Sequence, residues 1–169
     1  MLEVLDDIEF KKFEEGYTIL SLACKKYPGL PKLFKLYIVD EDRIITPMKI
    51  MKMMKYFRVE RSNDINTIGE IGEFASKRIE LLKVREFKWE SRTAPALQIH
   101  MNNVDYLIDT YNKLKDNVSS KKQYKIMKNC FLLISPTDVK WFVRILCRKF
   151  SIRKEMLEVI KDDQISNSM

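Results

Sequence analysis

The chain is poor in residues that interrupt a fold or arm it chemically. Four glycines and five prolines in 169 residues leave few breakers, and a composition led by Leu, Ile, Met and Lys favours helix. The only histidine, His100, leaves triad chemistry little to work with. Lacking acidic or cysteine neighbours at ligand spacing, it reads as a surface or loop residue. The cysteines Cys24, Cys130 and Cys147 are odd in number and scattered without metal-type spacing. They argue against a disulfide framework and a zinc site, and suit a reducing compartment. No run approaches the roughly 18–20 apolar residues of a membrane span, so a membrane is not expected as partner. The start, Met1-Leu2-Glu3-Val4-Leu5-Asp6-Asp7, is acidic and lacks the basic region of a signal peptide.

What remains is an ordinary globular composition, 46% hydrophobic, with charged residues high at 33%. One all-α domain of several helices is expected over residues 1–160, followed by a polar tail, 161–169, that frays. The charge is segregated. Residues 1–75 carry 12 Lys/Arg and 13 Asp/Glu, a net of −1, whereas residues 76–153 carry 17 against 7, a net of +10. A concentrated basic block is the electrostatic footprint of a polyanion binder; its bland counterpart is a lysine-rich solvated surface.

Periodicity predicts helices over Phe10–Lys26, Lys32–Val39, Pro47–Phe57 with Thr46 as cap, and Ile68–Lys88. Residues 89–97 read as a loop. A further helix runs from a cap at Asn102 or Asn103 through Tyr111, and another over Ser120–Ile134. Met48, Met51, Met53 and Met54 read as core filling, while Lys49, Lys52 and Lys55 drift around their helix as a broad wet face. Asp105 and Asp109, one turn apart, lack a third ligand and fit capping or solvent exposure. Arg85, Lys88 and Arg92 are spaced to extend the basic footprint if their helix continues that far.

The richest segment begins at Ser135. Ser135 is a natural N-cap, Pro136 suits the first turn, and Asp138 stands where a capping-box acid belongs. Val139, Phe142, Val143, Leu146, Cys147 and Phe150 then share one apolar arc. Lys140, Arg144 and Arg148, four apart, form a cationic row off that arc, and Trp141 beside it reads as structural. The row is either a solvated face or a set of cations held for phosphates.

The wording Asp138-x-Lys140-Trp141-Phe142-Val143-Arg144 resembles a helix of the N-terminal DNA-binding domain of ATP-dependent DNA ligases, and is most like the type IV form. Leu97–Asp109 is similar to that family's "L-T-(I/L)-x-x-V-(D/N)-x-L-L-D" signature. Gly69-Glu70-Ile71-Gly72-Glu73-Phe74-Ala75 is similar to its "G-D-(hydrophobic)-G-(D/E)-(F/V)-A" turn, and Leu36–Arg43 is weakly similar to "L-L-P-x-L-D-R-x-R". The four segments are collinear over roughly residues 30–155. Arg153 stands where the family has Gly. The resemblance implies a helical domain that clamps nicked or broken duplex DNA during repair, by end joining or recombination, in the nucleus or, for a viral ligase, in the cytoplasm. Its DNA contacts would be Arg92, Lys140, Arg144, Arg148, Lys149, Arg153 and Lys154. In such ligases a lysine in "K-x-D-G" attacks ATP, and the sequence contains no Asp-Gly dipeptide. No adenylation domain is therefore expected, no catalytic residue or metal ligand, and no cofactor on this chain. ATP and Mg would belong to a missing catalytic core, with that core or a repair protein as a further partner. The alternative is a helical interaction module that docks a repair protein without binding DNA.

Overall fold

The computed structural model describes residues 2–40, 42–56, 70–86, 104–116, 119–150, 152 and 156–157. Among these, every regular element is an α-helix: α1 Val4–Ile8, α2 Phe13–Lys26, α3 Leu30–Val39, α4 Pro47–Tyr56, α5 Ile71–Glu86, α6 Val104–Asp116, α7 Ser120–Leu133 and α8 Pro136–Leu146. The all-α expectation holds for the described residues. None of these helices is long and apolar enough to cross a membrane.

Local chemistry accounts for most boundaries. At α8 the Ser135 Oγ accepts the Asp138 N–H at 3.1 Å, and Pro136 fills the first turn, where a missing N–H costs nothing. The Thr46 hydroxyl accepts from Lys49 N–H at the head of α4. Other edges differ from the sequence reading for clear reasons. α2 starts at Phe13 rather than Phe10 because Lys12 is extended, with ψ near 157°. α3 starts at Leu30 rather than Lys32 because Pro31 is accommodated in its first turn. α6 continues past Tyr111 to Asp116. The short α1, absent from the sequence reading, buries Leu5 and Ile8. The expected caps Asn102 and Asn103, the loop 89–97, and His100 lie outside the described residues.

The core runs through all the helices. Trp141, Tyr111, Phe34, Phe131 and Phe142 are its largest fully buried side chains, each contributing about 1.5–3 kcal/mol relative to exposure. Met53 and Met54 are buried, as core filling requires, whereas Met48 is exposed. α8 is the central element: Val139, Trp141, Phe142, Val143, Ile145 and Leu146 are all inside, and its most extensive packing is against α5. Gly72 makes that approach possible. A Cβ there would stand 2.7 Å from the Lys140 carbonyl oxygen and 2.9 Å from Arg144 Cγ, so backbone contact explains this glycine. At the other end, Ile44 and Ile45 N–H groups close on the Leu146 carbonyl at 3.0 and 3.3 Å.

Candidate nucleic-acid interface

The candidate cations of α8 are engaged with the rest of the protein. Lys140 Nζ donates to Asp6 Oδ1 on α1, and Trp141 Nε1 donates to the same oxygen at 2.9 Å. One carboxylate thus holds a lysine and satisfies the buried indole. The Lys140 ammonium also lies 5.5 Å from the Trp141 ring centre.

Arg144 goes further inside. Its side chain is 6% exposed, and its Nε and Nη2 both donate to Glu70 Oε2, at 3.0 and 2.9 Å. Nη1 lies 3.6 Å from Glu9 Oε1, too far for a hydrogen bond. Glu73 stands 4.0 Å from Nη2, and the guanidinium lies 4.5 Å from the centre of the Trp141 ring. Glu70 is meanwhile the cap of α5, since its two oxygens accept the N–H groups of Gly72 at 2.9 Å and Glu73 at 3.1 Å. Burial alone would raise the Glu70 pKa. The hydrogen bonds from Arg144, Gly72 and Glu73, together with the Arg144 charge, outweigh it and hold the carboxyl below its ordinary value. Asp6, Glu9, Glu70 and Glu73 therefore surround Lys140 and Arg144 with more negative than positive charge. A phosphate would meet repulsion there.

Arg148 is the residue after the C-cap of α8 and has φ 56°. The Arg148 N–H bonds to the Ile145 carbonyl at 3.2 Å and the Lys149 N–H to the Arg144 carbonyl at 2.8 Å, which is the Schellman arrangement, ordinarily closed by glycine. The side chain helps hold that backbone: Nη1 donates to the Tyr37 carbonyl at 2.7 Å, and the guanidinium lies 4.5 Å from the Tyr37 ring centre. Lys149, next along, is exposed. Arg92, Arg153 and Lys154 lie outside the described residues. The structure thus joins Lys140 and Arg144 to one acid-rich cluster, sends Arg148 to α3, and leaves Lys149 facing solvent.

The acid half of this arrangement was missed in the sequence reading. Part of its signal was the acidic first 15 residues, which supply Asp6 and Glu9 to a helix more than 130 positions later; Glu70 and Glu73 come from the head of α5. A second cluster joins α3 to α6. Asp40 accepts from Tyr111 Oη at 2.6 Å and from Lys115 Nζ at 2.7 Å. Burial raises the Asp40 pKa, but these bonds and the charges of Lys115 and Arg148 pull it below the ordinary value. Asp109 pairs with Lys113 at 3.0 Å along α6. Among the described residues no group of three or more His, Cys, Asp or Glu side chains is placed to hold a metal ion.

Two of the three thiols are poor nucleophiles. Burial pushes Cys24 and Cys147 up to about 12, so almost no thiolate exists near neutrality. No family model, curated protein or solved structure matches this chain.

Proposed function

We propose that the chain is the DNA-binding domain of an ATP-dependent DNA ligase, holding nicked or broken duplex DNA through its phosphates. The observation that carries this reading is that segments of family-like wording, far apart in sequence, meet in space. The Gly69–Ala75 segment supplies Glu70, which bonds to Arg144, and Gly72, which lies against the Lys140 backbone and the Arg144 side chain of the Lys-Trp helix. Asp40, from the Leu36–Arg43 segment, bonds to Tyr111 and Lys115 on α6, the helix that begins within the Leu97–Asp109 segment. The Gly69–Ala75 and Lys-Trp segments thus read as packed framework, and the net charge of +10 over residues 76–153 supplies the attraction for a polyanion.

Binding of this kind neutralises phosphates and releases counterions, with little sequence preference. Joining would need a nucleotidyltransferase core bearing "K-x-D-G". The test is affinity for a nicked duplex across a salt series. The expected result is a steep negative log–log slope. A slope near zero, or no binding at low salt, overturns the reading.

A further inference from the structure

The sequence reading placed the DNA contacts on and after the Lys-Trp helix and at Arg92, whereas the structure shows a different helix with exposed positive charge. α7 carries Lys121, Lys122, Lys125 and Lys128, all exposed. At 100° per residue, Lys121, Lys125 and Lys128 fall within about 60° of one another, with Lys122 flanking. Among the described residues none of the four makes an ion pair or hydrogen bond. From Asn117 to Thr137 the sequence has no Asp or Glu. Lysines at i, i+4 repel each other and weaken a helix, so the row is a local cost that a bound polyanion would relieve.

The opposite face of α7 fixes the direction of this row. Gln123, Met127, Cys130 and Phe131 are buried. Gln123 Nε2 donates to the Leu114 carbonyl on α6 at 3.2 Å and its Oε1 accepts from Lys49 Nζ on α4 at 3.3 Å. The helix cannot roll without breaking those contacts, so its lysines are presented to solvent as a fixed set.

We infer that the α7 face of Lys121, Lys122, Lys125 and Lys128 is the surface that tracks the phosphate backbone of duplex nucleic acid. The inference rests on the DNA-binding reading above and assigns its contact surface. Lys121 to Lys128 spans about 10 Å of helix axis, against about 3.4 Å of duplex axis per phosphate on one strand. The row therefore matches roughly three successive phosphates. Two other partners fit less well. Among the described residues the exposed large apolar ones are Phe10, Leu22, Val39, Met48 and Leu81, none of them on α7. The face thus lacks the apolar wedge of a membrane-surface helix, and the one aromatic beside the row, Tyr124, is half-buried rather than offered as an exposed anchor.

The experiment compares the full chain with two charge-matched variants, one carrying Lys121, Lys122, Lys125 and Lys128→Gln and the other Lys25, Lys26, Lys32 and Lys35→Gln, with circular dichroism and thermal unfolding as checks of folding. Binding to a labelled nicked duplex is measured across a salt series. For the α7 variant the log–log slope should become shallower by about 3, with affinity near 0.1 M salt falling about a hundredfold or more. The control variant should change much less. Equal losses in both variants, or an α7 variant with the wild-type slope, overturns the assignment while leaving DNA binding intact. Failure of the wild-type chain to bind DNA at low salt overturns the functional reading itself. Tighter wild-type binding to anionic lipid vesicles or to poly-glutamate than to the duplex also overturns the assignment.

Discussion

At the scale of single residues, the cations on and just after α8 differ sharply in role. Arg144 closes a buried bond to Glu70, Arg148 stabilises a left-handed backbone position, and Lys149 faces water. Charge reversal at Arg144 would put a further carboxylate among Glu9, Glu70 and Glu73, so such a change tests folding rather than DNA contact. A milder pair of substitutions separates the roles. Arg144→Met should cost about 2 kcal/mol in urea unfolding. That is below the usual 3–5 for breaking a buried pair, because Glu70 keeps the Gly72 and Glu73 N–H bonds and its side chain is 36% exposed. Lys149→Gln should stay within about 0.5 kcal/mol, as exposed substitutions do. Similar midpoints for the two variants would remove the structural role assigned to Arg144. Nothing local in the sequence distinguishes these residues, because the partners of Arg144 lie 71–135 positions away and only packing brings them close.

At the scale of elements, local signals were readable and contact-driven ones were not. Ser135, Pro136 and Thr46 marked helix starts because capping involves residues three or four apart. The acid Asp138 looked like a capping-box partner, yet it is buried and accepts the Leu2 N–H at 2.7 Å, a bond across 136 positions. α1 escaped notice because five residues are too few for a period, and its stability comes from docking on α2. Two helical glycines, set against different neighbours, predict effects of opposite sign. Gly72→Ala gains helix propensity of about 1 kcal/mol, but its Cβ meets the Lys140 backbone oxygen at 2.7 Å. The overpacking cost of about 1–3 kcal/mol should leave the protein less stable and the α5–α8 contact loosened. Gly16→Ala in α2 meets the end of the Met156 side chain at 2.7 Å, which can rotate away. It should be neutral or stabilising by up to about 1 kcal/mol. Thermal melts of the two variants provide the check, and a shift of both in the same direction would refute the contrast.

For the whole molecule, the segregation of charge serves two purposes. Carboxylates of the first half pair with Lys140 and Arg144 of α8, while among the described residues α7 keeps four exposed lysines outside any ion pair. The sequence displayed the net imbalance, but which cations were left over depended on the fold. This division predicts how stability responds to acid. Hydrogen bonds and nearby cations outweigh burial at Glu70 and Asp40, so both have folded pKa values below their unfolded ones. Their contribution is complete above the unfolded values, about 4.3 for Glu and 3.9 for Asp, and is lost as pH falls through the folded values. Asp138 runs the other way. Its burial raises the pKa despite the Leu2 N–H bond, so its ionisation costs stability as pH rises from the unfolded value through the folded one. Glu70 and Asp40 each clasp a cation on another helix, α8 or α6, and their protonation loosens two inter-helix contacts at once. Urea midpoints should therefore fall steeply between about pH 5 and pH 3. The double variant Glu70→Gln, Asp40→Asn should be less stable at pH 7 yet show a flatter profile over that range. A double variant with the wild-type acid slope would place the titrating groups elsewhere, and the two clasps would then be incidental to how the helices are held together.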